Sequence, residues 1–226
     1  MRIMFMIRLP KDGWMGEGGE PHRIVTIGDR THCRKPRYTP ARAMQTLHAG
    51  PLVLEPLVVA HTEDMFALLK EPELYRHLDE APPPSVEWLQ ARYARWQARR
   101  SPDGRQQWLN WVIRDPEGTL AGYVQATVHP DGSAWVAYVL GRSSQGRGHA
   151  TVATRCMMDH ISEQYAVRRF LARVEQGNQK SIAVLQRLGF AEAGSDESMR
   201  HALSATERLY AAGLGEDDPR TPRPGV

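Results

Sequence analysis

The chain has 226 residues, of which 41% are hydrophobic and 24% charged, with a formal net charge of +3. That is enough apolar material for one sizeable core, and it excludes fibrous, collagenous and disulfide-built classes. Cys33 and Cys156 stand far apart at no metal-ligand spacing, a usage that points to a reduced, cytoplasmic protein. No run approaches the ~18 apolar residues of a membrane span, and the apolar opening Met1–Arg8 is too short for a signal-peptide core.

The positive charge is unevenly placed. Residues 1–50 carry nine Lys/Arg against four Asp/Glu, and the rest of the chain carries twenty against twenty-two. The basic residues of this leader (Arg23, Arg30, Arg34, Lys35, Arg37, Arg42) are scattered without aromatic interleaving, so a nucleic-acid partner is not expected. Gly13, Gly16, Gly18, Gly19, Pro21, Pro36 and Pro40 interrupt it too densely for a stable element. The expectation is therefore a basic, disordered extension over 1–50, with Met44 as a candidate biological start, a domain over 51–214, and a disordered Pro-, Asp- and Arg-rich tail over 215–226.

From Pro51 the texture changes. Leu52–Leu57 reads as a strand with Pro56 ending it or placing it at an edge. Thr62-Glu63-Asp64 caps a helix whose Met65, Leu68 and Leu69 fall at helical spacing. After the spacer Ala81-Pro82-Pro83-Pro84, Ser85 caps a second helix with Trp88, Leu89, Tyr93 and Trp96 on one face. Trp108–Arg114, Leu120–Val128 and Ala134–Leu140 alternate with the turns Asp115-Pro116-Glu117-Gly118 and His129-Pro130-Asp131-Gly132, which predicts an antiparallel meander. Gly148–Tyr165 reads as a helix with Ala150, Ala153, Met157 and Ile161 inward, and Cys156 within it as a small buried hydrophobe. Arg169–Val174, Asn178–Leu188, Phe190–Ala193 and Glu207–Ala211 then read as strand, helix, strand and strand. A meander feeding such a tail is a mixed α/β (α+β) layer with helices on both faces.

The segment that carries chemistry is Gln145-Gly146-Arg147-Gly148-His149-Ala150, between a strand and a helix. Its glycines let the backbone turn sharply and leave amides uncovered at a helix N-terminus, where the macrodipole favours an anion. Arg142 and Arg147 add positive charge. A P-loop is excluded because Gly148 is followed by His149 and Ala150 rather than Lys-Ser/Thr. A dinucleotide fingerprint is excluded because the third glycine and the acidic ribose reader are missing.

Gln145–Ala150 resembles the Gln/Arg-x-x-Gly-x-Gly/Ala motif of the GNAT acetyltransferases, whose amides bind the pyrophosphate of coenzyme A. About thirty residues on, Asn178-Gln179-Lys180-Ser181-Ile182-Ala183-Val184-Leu185-Gln186-Arg187-Leu188-Gly189-Phe190 resembles the second cofactor segment of that superfamily. It is particularly similar to the branch containing ribosomal-protein N-terminal (alanine and serine) acetyltransferases. The resemblance implies a GNAT-like fold, a central, mostly antiparallel mixed sheet of about six to seven strands flanked by about four helices. It also implies acetyl-CoA as co-substrate, no metal, and direct transfer to the amine of a small molecule or protein N-terminus.

Several roles follow from the resemblance. Tyr138, Val139 and Leu140 would hold the pantetheine arm and polarise the thioester, and Gln145, Gly146, Arg147, Gly148, His149 and Ala150 the pyrophosphate. Asn178 and Ser181 would also contact the cofactor, Asn178 serving as N-cap as well. The branch is thought to protonate the departing thiolate with its serine, here Ser181, since Val184 and Leu185 stand where many relatives place a tyrosine. Glu175 is a candidate for the base, with Asp79 and Glu80 as others, and the acceptor would lie between residues 75–105 and the splayed strands. Leu185, Leu188 and Phe190 read as core and Gly189 as a left-handed helix stop. A homodimer accompanies the resemblance as an expectation, and the alternative function is a catalytically silent acyl-CoA-binding sensor.

Overall fold

In the computed structural model, which describes residues 44–76, 80–201 and 203–213, the three alternating runs form the antiparallel centre of one sheet. The strands are β1 (Leu47–Ala49), β2 (Leu52–Pro56), β3 (Gln107–Arg114), β4 (Leu120–Val128), β5 (Ser133–Leu140), β6 (Arg169–Glu175), β7 (Ala191–Glu192) and β8 (Glu207–Gly213). The helices are α1 (Thr62–Leu69), α2 (Val86–Gln97), α3 (His149–Tyr165), α4 (Gln179–Arg187) and the short α5 (Ser195–Arg200). Spatial order in the sheet is β1-β2-β3-β4-β5-β6-β8-β7.

The meander turns close as their side chains dictate. Asp115 Oδ1 accepts from the amides of Glu117 (3.1 Å) and Thr119 (2.8 Å), and Asp131 Oδ1 accepts from Ser133 N at 2.9 Å. These Asx-type contacts satisfy turn amides locally and bring the strands into register. All nine residues of β4 are buried, because helices cover both faces of the sheet centre.

Two apolar layers result. One face of the meander carries Trp111, Val124, Tyr138 and Leu140 against Met157 and Ile161 of α3 and Leu185 of α4. The other carries Val112, Tyr123 and Val139 against Met65 and Leu69 of α1 and Leu89, Tyr93 and Trp96 of α2. The α2 cap forms as its sequence indicates: Ser85 Oγ accepts from Trp88 N at 3.2 Å. The end of α4 is a Schellman closure, with Phe190 N donating to Leu185 O and Gly189 N to Gln186 O while Gly189 holds φ +87°.

Every neighbouring pair in the sheet is antiparallel except β5 and β6. These run parallel and pair only over Ser133↔Arg169, Ala134↔Phe170 and Trp135↔Leu171. Beyond Trp135 they part. β6 continues with β8, and Val136–Leu140 continues with β4 alone. The sheet is therefore split along its middle, and the split is the feature that positions the site.

Some expectations need correction. Among the described residues eight strands replace six to seven, because β1 has three residues and β7 two, too few to display a period. β1 also lies within the stretch assigned to the N-terminal extension, paired with β2 through a turn at Gly50-Pro51. α5 adds a helix that no periodic run announced. Phe190–Ala193 yields only the pair Ala191–Glu192, since Phe190 is drawn into the core beneath α4. Thr62 is the first residue of α1 rather than its cap, and its hydroxyl donates to Val59 O in the preceding 3-10 turn. Cys156 is half-buried rather than fully enclosed. The expected extension up to Ala43, the candidate carboxylate Asp79 and the tail over 215–226 lie outside the described residues.

Candidate active site

The free half of β5 leads directly into the glycine-rich loop. Gln145 Nε2 donates to Leu140 O at 2.9 Å and ties the loop back to the strand end. Gly146 and Gly148 adopt φ of +80° and +79°, a conformation that L side chains resist. A Cβ on Gly148 would meet nothing within 4 Å, so the glycine answers to backbone conformation and leaves room for a ligand. α3 begins at His149 with no side-chain cap and no acid in its first turn. Its first amides and positive dipole end thus face Gly146, Arg147 and Gly148, all exposed, with exposed Arg142 close in sequence. This arrangement fits a pyrophosphate. Ala150 contributes its backbone there, while its side chain belongs to the core.

Across the split stands α4. Asn178, buried, is its N-cap, with Oδ1 accepting from Ser181 N at 3.3 Å. That bond fixes Ser181 as the third helical residue and turns it inward. The Ser181 hydroxyl is fully buried beside the phenol of Tyr138, and has no well-formed hydrogen bond among the described residues. Burial pushes the Tyr138 phenol far above its ordinary range, an effect the Ser181 contact partly opposes. The structure thus brings together Tyr138, Leu140, the loop, Asn178 and Ser181 on one side of the sheet. Val139 points the other way, into the α1/α2 layer.

Glu175 is not in this group. It ends β6, half-buried, and strand alternation puts it with Arg173 on the face opposite Phe170, Ala172 and Val174, which are core residues of the α3/α4 layer.

On the α1/α2 side a pocket opens, lined by Tyr75, Glu80, Trp88, Arg92, Tyr93, Trp96 and Tyr123 among others. Arg92 lies over the rings of Trp88 (5.2 Å) and Trp96 (4.6 Å) and pairs with Glu80 at 3.5 Å. Burial raises the phenols of Tyr93 and Tyr123 well above their usual range, and Glu80 adds to the same effect of burial at Tyr75. Trp96 and Tyr93 are core, as their helical spacing predicts, whereas half-buried Trp88 faces the pocket. Arg92, Tyr75 and Tyr123 escaped sequence reasoning. Tyr123 carries a usable signal, a phenol in a largely apolar strand, and Arg92 carries one in its place four residues from Trp88 and from Trp96 on one helix.

The sheet thus carries a split between β5 and β6, an amide cradle at one end of it and an aromatic pocket on the opposite face. The GNAT acetyltransferase domain model matches residues 51–191, and the chain belongs to that family. As a member it is an acyltransferase with acetyl-CoA as co-substrate, and the cradle residues fit that group. RimL, a ribosomal L7/L12 alpha-N-protein acetyltransferase solved with coenzyme A, is 21% identical with a TM-score of 0.64, over 75% of this chain and 98% of its own. The ribosomal-protein-S5-alanine acetyltransferase from Vibrio fischeri is 17% identical (TM-score 0.62; 76% and 98% covered). The spermidine N-acetyltransferase from Vibrio cholerae, in complex with coenzyme A and spermine, is 17% identical (TM-score 0.60; 72% and 95% covered). These likenesses establish the fold. None of the curated proteins matches the chain in sequence. Among the described residues no group of His, Cys, Asp or Glu is placed to hold a metal, and no helix is long and apolar enough to cross a membrane.

Proposed function

We propose that the protein transfers the acetyl group of acetyl-CoA directly to a primary amine, carried by a small molecule or a protein N-terminus. The observation that carries this reading is the parting of β5 from β6 after Trp135, which leaves the β6-facing edge of Val136–Leu140 without a strand partner among the described residues, beside the glycine-rich cradle. An open strand edge offers amides and carbonyls in a row to an extended amide-bearing chain, and pantetheine is such a chain. Amides at the end of that edge are suited to polarising the thioester carbonyl, where negative charge develops.

In this reading Tyr138, Val139 and Leu140 hold the arm, and Gln145 to Ala150 hold the pyrophosphate. Asn178 orients α4, and Ser181 donates a proton to the departing thiolate from its buried position beside Tyr138. Glu175 accepts the proton that the acceptor amine loses, from the acceptor-facing side of β6. Most of the acceleration comes from positioning the amine against the thioester. The aromatic pocket beside Arg92 receives the acceptor.

Titrating the purified protein with acetyl-CoA, then following thiol release over a panel of amines and N-terminal peptides, tests the proposal. Binding together with release on at least one acceptor is expected. Absence of acetyl-CoA binding overturns it, and binding without release on any acceptor replaces it with a silent acyl-CoA sensor.

A further inference from the structure

The face of the sheet that looks toward α1 and α2 is not uniformly apolar. Register and strand alternation place its residues in cross-strand rows. One row is Val112, Tyr123 and Val139, all within the apolar layer. The next is Asn110, Gln125 and Ala137, and the one after is Trp108, Thr127 and Trp135. Asn110 and Gln125 are each 6% exposed and Thr127 4%, so the middle of this face carries three buried polar side chains.

A buried amide pair in a sheet centre normally serves to satisfy another polar group. Here the Gln125 Oε1 atom is buried and has no hydrogen-bond partner among the described residues. Leaving an amide oxygen buried and unsatisfied is destabilising, and an apolar side chain of similar size would avoid the penalty. A native chain that tolerates such an atom has a reason for it.

Position supplies the reason. Gln125 pairs with Ala137, and Ala137 lies two residues past Trp135, the last β5 residue to pair with β6. The row therefore lies at the inner end of the split, just beyond the point where the strands part. Adjacent strands are about 4.8 Å apart, so Gln125 sits one strand spacing from the edge that would hold the thioester, and Asn110 two. Ala137 intervenes with no more than a methyl group. Tyr123, two residues from Gln125 on the same face, belongs to the aromatic pocket, where the Tyr93 hydroxyl is a second buried oxygen without a partner among the described residues.

We propose that Gln125, with Asn110 beside it, is the polar floor of the acceptor site, its Oε1 atom accepting a hydrogen bond from the N–H of the reacting amine. This rests on the acetyl-transfer reading above. An amide oxygen suits that role because it orients an amine through its N–H without the negative charge of a carboxylate, which would favour the unreactive ammonium form. Gln125 thus sets the position of the nucleophile, whereas Ser181 serves the leaving group from the other side of the sheet.

The decisive experiment compares wild type with Gln125→Leu in acetyl-CoA affinity, in melting temperature, and in kcat and KM for the best acceptor of an amine and N-terminal peptide panel. The variant is expected to bind acetyl-CoA as wild type does and to melt at the same temperature or higher. Its kcat/KM is expected to fall at least tenfold, the size of effect associated with losing one substrate hydrogen bond and stranding its partner. An unchanged kcat/KM overturns the inference while leaving acetyl transfer intact. A melting temperature several degrees lower also overturns it, by showing that the fold itself needs the amide. A wild type that binds acetyl-CoA but acetylates nothing removes the transfer reading, and the role of Gln125 falls with it.

Discussion

The two faces of the split sheet are built on different terms. The α3/α4 face is filled with aliphatic and aromatic side chains up to the cradle, and its chemistry is concentrated in backbone amides and two short side chains, Asn178 and Ser181. The α1/α2 face combines apolar packing with Asn110, Gln125, Thr127, three tyrosines and the Glu80–Arg92 pair. In the proposed reading one side recognises a ligand whose groups never change, and can do so with glycines and a helix end. The other must match an acceptor, and carries side chains that a different acceptor would replace.

Substitutions separate these two designs. The largest effect on stability is expected on the acceptor face, at Trp96, 7% exposed and stacked on Tyr93 at 5.7 Å. Trp96→Ala should destabilise the protein by about 3–5 kcal/mol in denaturant unfolding. Trp88→Ala should leave stability nearly unchanged and alter acceptor KM instead. Similar losses in both would mean that the aromatic cluster is structural throughout.

On the coenzyme face, Gly148→Glu adds negative charge to the cradle at a position of φ +79°. Acetyl-CoA affinity should fall by roughly 100-fold in calorimetry. The accompanying stability loss should be only about 1–2 kcal/mol, because a Cβ there meets open space. Ser181→Ala comes next. It should lower kcat by roughly 10- to 100-fold, less than the upper end of acid–base effects because a thiolate is already a competent leaving group, with acetyl-CoA affinity preserved. Unaltered turnover would remove Ser181 from the mechanism.

The smallest effect concerns pH. His61, His129 and His160 are all held below the ordinary value of 6.5, in each case chiefly because burial disfavours the charged ring. The unfolded chain then binds more protons than the folded one, so stability rises with pH across this window. It is fully present above 6.5 and is lost as pH falls from there through the depressed folded values. Melting temperatures should decline from about pH 7 toward pH 5, and His129→Gln with His160→Gln should flatten that decline. His129 lies at the β4–β5 turn and His160 stands edge-on to Trp111 at 5.9 Å, so the pair samples both ends of the domain's stability rather than the site.

How much of this was legible in advance follows the same division. The cradle could be read from Gln145 to Ala150 because it is local: glycines for positive φ and the start of an apolar-periodic helix are adjacent in the chain. Asn178 and Ser181 were equally readable, since a cap and its third helical residue lie three positions apart. β1, β7 and α5 were not, because they are too short for periodicity, and tertiary pairing alone stabilises them. The pocket stayed hidden for a related reason. The i, i+4, i+8 spacing of Trp88, Arg92 and Trp96 on α2 does place the guanidinium against both indoles, but Glu80 and Tyr123 belong to a loop and a strand, and nothing in their spacing predicts that they join the same pocket. Gln125 did have a signal, a polar residue at a position whose neighbours on both sides in β4 are apolar, but only register shows that it faces the split.

By itself the sequence determined the order of the longer elements, the meander, the capped α2 and α4 and the glycine-rich turn before α3, because each depends on interactions between residues within a few positions of one another. Tertiary structure alone decided where β5 leaves β6, which side chains meet across that gap, and which buried oxygens are left without partners. Those depend on parallel pairing after a long crossover and on helices closing over a sheet. They are non-local contacts, whose geometry is set only when the whole core packs.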